Sequence, residues 1–160
     1  MLIIGAGTGL DLEFLPSDCE ITATDITPSM IGMLKQRSIK LGKNVNAFVA
    51  DGQALGFEDN SFDKIILHLI LAVIPDPIAC IKETERVLKQ GGQIAVYDKF
   101  VHKNHKVTLL RRVTNLFINF LATNINRNFE SIVNRTELMV VSDVDADLNG
   151  FLRRIILTKE

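Results

Sequence analysis

MLIIGAGTGLDLEFLPSDCEITATD, residues 1–25, is the stretch on which the fold turns. Leu2 to Ile4 is an apolar run that predicts a buried strand. Gly5, Gly7 and Gly9 follow at alternate positions, and a short segment from Leu10 to Leu15 stops at Pro16. Ile21 to Thr24 is a second β-like run and ends in Asp25. Strand, glycine turn, short helix, strand and acid, in a parallel α/β sheet, build a pocket for an adenosine-like ligand. Glycine lets the backbone approach a ligand where a Cβ would clash. A carboxylate at the end of the second strand can accept hydrogen bonds from both ribose hydroxyls.

The glycine spacing separates two ligand classes. GxGxG is not the dinucleotide pattern GxGxxG, because Leu10 stands at its last position. Asp11 and Glu13 also fall where a helix N-terminus would face a pyrophosphate. Their charges repel phosphate, although a bare helix N-terminus favours it. S-adenosylmethionine has no phosphate and carries a positive sulfonium and a positive amine, so the acids suit it better.

Outward from this stretch the chain alternates. Thr27-Pro28 predicts a helix start, with Thr27 as N-cap and Pro28 in the first turn. The helix from Ser29 to Leu41 carries Met30, Met33, Leu34 and Leu41 at mostly helical spacing, and Gly42 closes it. Val45 to Ala50 predicts a third strand, ended by Asp51-Gly52 and followed by a polar loop to Ser61. Phe62 to Ile70 is a fourth strand whose continuous apolar run indicates burial on both faces. Pro75-Asp76-Pro77 opens a helix running to about Lys89 and presenting Ile78, Ile81, Val87 and Leu88. Gln90-Gly91-Gly92 terminates it, and Gln93 to Tyr97 is the fifth strand.

Strands alternating with helices imply a doubly wound α/β sheet, mostly parallel, with its ligand site at the strand carboxyl ends. The tail reads differently. It contains a long helix over Lys106 to Ala122, a shorter one over Asn128 to Glu137, and strands over Leu138 to Ser142 and Phe151 to Lys159. An acidic loop, Asp143 to Gly150, joins those strands into an antiparallel hairpin.

Length and charge set bounds. The 160 residues suit one domain covering 1–160. A net charge of −1 supplies no basic field for nucleic acid. No apolar run approaches the roughly 20 residues of a membrane span, and Met1 leads straight into a strand with no leader pattern. Cys19 and Cys80 lack metal-ligand spacing and read as free thiols of a reducing cytoplasm.

Five segments together, IIGAGTG, ATDITPSM, VADGQALGFEDNSFD, VIPDP and ERVLKQGGQIAVYD, resemble class I S-adenosylmethionine-dependent methyltransferases over nearly the whole chain. The tail is similar to the small-molecule and lipid branch, the quinone and phosphatidylethanolamine methyltransferases. The resemblance implies a Rossmann-like, seven-stranded sheet of order 3-2-1-4-5-7-6 with strand 7 antiparallel. It also implies S-adenosylmethionine as cofactor and methyl transfer to a small-molecule or lipid-like acceptor.

Carried to this chain, the resemblance places Gly5, Ala6 and Gly7 along the methionine part of the cofactor and Asp25 on the ribose. Ile26 and Met30 pack on the adenine, and Asp51, with Gly52 and Gln53 beside it, accepts from the adenine amino group. Leu67 and His68 border the methionine moiety. This chain departs from the family in three ways. Ile3 stands where relatives carry an acid that helps fix the cofactor amine, and Ala72 stands where many carry His. The helices that precede the first strand in relatives, covering cofactor and substrate, are absent.

Alternatives stand beside several assignments. Met30 also reads as a core residue, and His68 as a hydrogen-bonded core histidine. Asp98 and His102 are the base candidates, with a solvated loop as their other reading. A metal site on His102 and His105 lacks a clustered carboxylate or thiolate. Lys103, Lys106, Arg111 and Arg112 form a basic face, read as solvated or as peripheral contact with a phosphate-bearing lipid surface. Without the N-terminal helices, Ile70, Leu71 and Val73 are expected to be left open, with the long helix carrying Phe117 and Phe120 folding over the site or pairing with its counterpart, which predicts a homodimer or else a more open cofactor site. Two other functions compete with methyl transfer. One is a truncated or non-catalytic cofactor-binding domain. The other is a nicotinamide-dependent oxidoreductase, against which stand the GxGxG spacing and Tyr97-Asp98-Lys99, which is not Tyr-x-x-x-Lys.

Overall fold

The computed structural model describes residues 1–100, 127–146 and 152–160. Its strands are β1 (Leu2–Ile4), β2 (Ile21–Asp25), β3 (Val45–Val49), β4 (Phe62–His68), β5 (Leu88–Lys99), β6 (Met139–Asp145) and β7 (Leu152–Thr158). The helices are α1 (Pro28–Lys40), α2 (Pro77–Val87) and α3 (Phe129–Val133), with a 3-10 turn over Leu10–Phe14. They form one seven-stranded sheet of order β3-β2-β1-β4-β5-β7-β6. β1 to β5 pair in parallel, and β7 runs antiparallel to both β5 and β6. This is the order that the family resemblance implies.

The topology itself makes the crevice. β1 pairs with β2 on one side and β4 on the other. The connections leaving β1 and β4 therefore diverge, and their carboxyl ends open between them. β1 is buried along its whole length, as its unbroken apolar run requires. One sheet face packs on α2 and α3 through Leu2, Ile65, Leu67, Ile81, Ile94 and Phe129. The other packs on α1 and the 3-10 turn through Ile3, Leu12, Ile21, Ile31 and Leu34.

Some expected details shift. The buried stripe of α1 is Ile31, Leu34 and Ser38, while Met30, Met33 and Leu41 face outward. Both stripes have helical spacing, and the docking angle of α1 on the sheet selected between them. Ser38 is tolerated in the stripe because its hydroxyl donates to Lys35 O at 2.9 Å. α2 stops at Val87, and Leu88 already pairs with Phe62. Gly91-Gly92 is therefore not a helix stop. It forms an irregularity inside β5, where Gly91 takes φ +73° and a Cβ on Gly92 would lie 2.8 Å from Lys89 O. α3 ends at Val133, short of the expected Glu137, and β6 begins one residue later and ends three residues later than the expected Leu138 to Ser142. The expected helix over Lys106 to Ala122 lies outside the described residues, as do His102, His105, Lys103, Arg111 and Arg112.

The hairpin is tied to the core by a buried cation. Arg153 is 3% exposed and pairs with Glu130 at 3.0 Å and with Asp143. Its guanidinium lies 5.6 Å from the Phe129 ring centroid and 5.9 Å from that of Phe100. Arg86 does a similar task nearer the surface. It forks onto Glu83 at 2.8 and 2.9 Å and reaches Phe57 O and Asp59, fastening the Ala54–Asn60 loop to α2. Glu83, held below its usual pKa chiefly by Arg86, also accepts from Leu55 N.

Breaking a buried ion pair strands charge away from water, at about 3–5 kcal/mol, whereas half-exposed pairs contribute about 1 kcal/mol. Arg153→Met is therefore expected to lower unfolding free energy in urea several-fold more than Arg86→Met. Equal losses would show that Arg153 is not the anchor of the hairpin.

Candidate active site

The carboxyl ends of β1, β2 and β3 surround a cleft of about 170 Å³. Gly5, Asp25, Ile26, Asp51, Gly52 and Gln53 form one side, and Ile70, Val73 and Ile74 face them. Among the described residues the lining holds two carboxylates and no Lys, Arg or His. Two larger open grooves lie elsewhere. One of about 480 Å³ runs along α1 past Arg37, and the other, about 500 Å³, gathers Lys82, Arg86 and Arg135 near the start of β5. Neither collects the acids at the strand ends.

Asp25 is the best-organised group of the cleft. Its Oδ2 accepts from Gly7 N and its Oδ1 from Thr27 N, each at 2.9 Å. A carboxylate oxygen has two acceptor positions, so each oxygen keeps one open. Two open positions on one fixed carboxylate match the two hydroxyls of a ribose. Thr27 caps α1 through backbone conformation alone, without a side-chain hydrogen bond.

Asp51 is held differently. Its Oδ1 accepts from Gln53 N and Nε2, both at 2.9 Å, and its Oδ2 from the same Nε2 at 3.0 Å. One position on Oδ2 stays open. Gln53 also accepts from Asp76 N at 2.8 Å, so one amide side chain joins β3's end to the start of α2. Gly52 is required by space, since its Cβ would fall 2.9 Å from Ile4 Cγ2. Gly5 has φ +70° and would drive a Cβ to 2.7 Å from Ile70 Cδ1.

The remaining expected residues are placed as follows. Ala6 and Gly7 lie on the turn, but Ala6 N donates to Thr24 O and Gly7 N to Asp25. They offer close approach rather than free amides. Ile26 is 64% exposed and Met30 37%, so Met30 is not a core residue. The Leu67 side chain is wholly buried in the core, so only its backbone is offered at the strand end. His68 is half-buried at the sheet end, not a core histidine, with Nδ1 2.6 Å from Asp11 Oδ1.

Asp98 is neither in a loop nor solvated. It lies within β5 at 0% exposure and accepts from Ala72 N at 2.9 Å and Lys99 N at 2.7 Å. It therefore holds the Leu71–Pro75 wall of the cleft from below, and Arg127 donates to Leu71 O from outside. A wall fixed at these points explains why Leu71 is buried, contrary to its expected exposure, whereas Val73 is 44% exposed and Ile70 half-buried. Sequence reasoning missed the wall-holding role of Asp98 and the Asp11–His68 pair, because both link residues far apart in the chain. The Asp76 cap, which accepts from Ile78 N and Ala79 N, was signalled by Pro75-Asp76-Pro77.

Burial, opposed by hydrogen bonds from Lys99 and Ala72, pushes the Asp98 carboxyl above its ordinary 3.8. As pH rises from that value toward the raised one, the folded chain holds a proton that the unfolded chain has released, so stability falls. Asp98→Asn has no such proton. It is expected to flatten this part of the stability curve, read by urea unfolding between acidic and neutral pH, and an unchanged slope would contradict it.

Residues 2–96 match the methyltransferase domain. The chain is 24% identical to phosphatidylethanolamine N-methyltransferase of Cereibacter sphaeroides, over 96% of this chain and 78% of that protein. It is 28% identical to demethylmenaquinone methyltransferase of Staphylococcus epidermidis over 68% of this chain, spanning 44% of that protein. The fold is similar to an S-adenosylmethionine-dependent methyltransferase structure from Methanosarcina mazei, with TM-score 0.73 and 22% identity over 99% of this chain and 91% of that one. It is also similar to the cyclase SpnF, with TM-score 0.78 and 16% identity over 99% and 73%. A shared fold thus hosts more than one reaction, and the sequence match is what assigns this chain: it belongs to the methyltransferase-domain family, whose cofactor is S-adenosylmethionine.

Proposed function

We propose that residues 1–160 act as one domain that transfers a methyl group from S-adenosylmethionine to a small-molecule or lipid-like acceptor. The observation that carries this reading is Asp25, clamped by Gly7 N and Thr27 N with one acceptor position open on each oxygen. The cleft chemistry fits the same ligand, since two carboxylates and no described cation suit a positive ligand without phosphate. A dinucleotide would present its pyrophosphate to Asp11 and Glu13 on the turn after β1.

In this proposal Asp25 takes the ribose hydroxyls, and Asp51, set by Gln53 beside Gly52, accepts from the adenine amino group. Ile26 and Met30 lend apolar surface to the adenine face. Gly5, Ala6 and Gly7 let the methionine portion lie against bare backbone, with His68 and the Leu67 backbone at its far end. The cofactor, when bound, supplies a methyl already activated on a sulfonium. The chain's own task is to hold the acceptor in line and keep water out, and orientation alone can provide roughly 7–11 kcal/mol of a barrier. The wall held by Asp98 and Arg127 serves that end.

The relatives' names support a lipid or quinone acceptor. No helix among the described residues is long and apolar enough to cross a membrane, and an acceptor of this kind suits peripheral contact with a lipid surface. Exposed Val73 beside the cleft fits a more open site or a homodimer. The two free cysteines, with Cys80 buried and its thiol pushed up to about 12, fit a reducing cytoplasm. Ile3, 1% exposed in the core, favours one second reading, a cofactor-binding domain without turnover.

Calorimetry with S-adenosylhomocysteine tests the site. Asp25→Ala is expected to weaken binding by about 1.5–3 kcal/mol, the scale of hydrogen bonds to a charged group. Unchanged affinity in a folded variant would remove Asp25 from the site, and tight binding of NAD instead would favour the oxidoreductase. Methyl transfer to phosphatidylethanolamine micelles or demethylmenaquinol separates enzyme from binding domain. Ile3→Glu is expected to tighten S-adenosylhomocysteine binding while lowering the melting temperature, because it buries a charge. Unchanged affinity would mean that the position does not govern the cofactor amine.

A further inference from the structure

His68 closes β4 on the sheet face that carries the 3-10 turn. Its Nδ1 lies 2.6 Å from Asp11 Oδ1, although 57 residues separate the two in sequence. An ionised carboxylate only accepts, so Nδ1 carries the hydrogen of that bond and Nε2 is left with its lone pair. Nε2 has no hydrogen-bond partner among the described residues, while the side chains of His68 and Asp11 are 36% and 23% exposed. The His68 ring makes a T-shaped contact with Tyr97, its register partner on β5, at a centroid distance of 5.2 Å and 85° between planes. The imidazole is thus fixed on two sides. It stands at the carboxyl ends of β4 and β5, two residues before Ile70, which packs over Gly5 in the cleft.

We propose that His68, oriented by Asp11, is the general base that takes a proton from an ammonium acceptor so that its nitrogen can accept a methyl. This rests on the methyltransferase reading and narrows it to acceptors that arrive protonated on nitrogen. In the step, an N–H bond of the acceptor breaks and its electron pair stays on the acceptor nitrogen. A new N–H bond forms at Nε2, and the positive charge passes to the imidazolium. Asp11 stabilises that charge and is a positioning residue. The imidazolium then releases its proton to water. Among the described residues, the other groups near the ring are Tyr97 on the same face, exposed Arg154 beside Tyr97 on β7, and buried Asp98 on the opposite face of β5.

Ring-nitrogen NMR tests the proposal without turnover. In the S-adenosylhomocysteine complex at neutral pH, His68 is expected to show a protonated Nδ1 and a bare Nε2, with the two tautomers mixed in Asp11→Asn. Titration with phosphatidylethanolamine micelles is expected to move Nε2 toward the protonated form. An Nε2 already hydrogen-bonded to the bound ligand, or one that the micelles leave unmoved, overturns the proposal.

Kinetics on the same micelles form the second arm. His68→Asn is expected to lower kcat by about 10²-fold, the lower range for general acid–base catalysis. It should also remove the acidic limb of the kcat–pH profile. Asp11→Asn is expected to keep the limb but shift it to lower pH. An acidic limb that survives in a folded His68→Asn variant would overturn the base. Absence of wild-type turnover on any acceptor would defeat the methyltransferase reading, whereas the NMR result stands apart from it.

Discussion

Two backbone amides converge on the Asp25 carboxylate, and the rest of the site depends on that convergence. Gly7 N comes from the turn after β1 and Thr27 N from the start of α1. One side chain thereby sets the turn, the entry to the helix and the strand end in mutual register. It does so with charge-assisted bonds, which are stronger than neutral ones. The turn can meet the carboxylate only because Gly5, Gly7 and Gly9 all take positive φ, a region that other L residues enter at a penalty. The glycines and the acid are thus one device in two pieces.

The opposite wall is built by the same logic from more distant parts. Ala72 N bonds to Asp98, Leu71 O receives Arg127, and Asp76 N bonds to Gln53. Leu69, just past β4, has φ +55°, a strained setting for a leucine, and Leu69 N bonds to Tyr97 O. The chain is bent sharply there and held by its neighbours. That bend carries the wall over the cleft and leaves His68 at the sheet end.

The family match explains the scaffold, and the cleft explains why this scaffold suits a cationic, phosphate-free ligand. Similarity to a cyclase structure limits what fold alone says about chemistry. In the reading proposed above, the chemistry rests on Asp25, Asp51 and the Asp11–His68 pair. All lie on the edge where the connections leaving β1 and β4 diverge.

Local sequence determined the alternation of strands and helices, the glycine turn and the acids that end β2 and β3. Each follows from periodicity or from a backbone need expressed within a few residues. The sheet order and the antiparallel tail were legible through the five segments that resemble the family. Tertiary structure decided which stripe of α1 is buried, that Gly91-Gly92 interrupts a strand rather than ending a helix, and that Asp98 is a buried support. It also decided that His68 has a carboxylate partner. These outcomes depend on groups brought together across the sheet, from Asp11 to His68 and from Ala72 to Asp98. No local pattern in a chain encodes which distant amide a carboxylate will meet, because that contact exists only once the strands have paired.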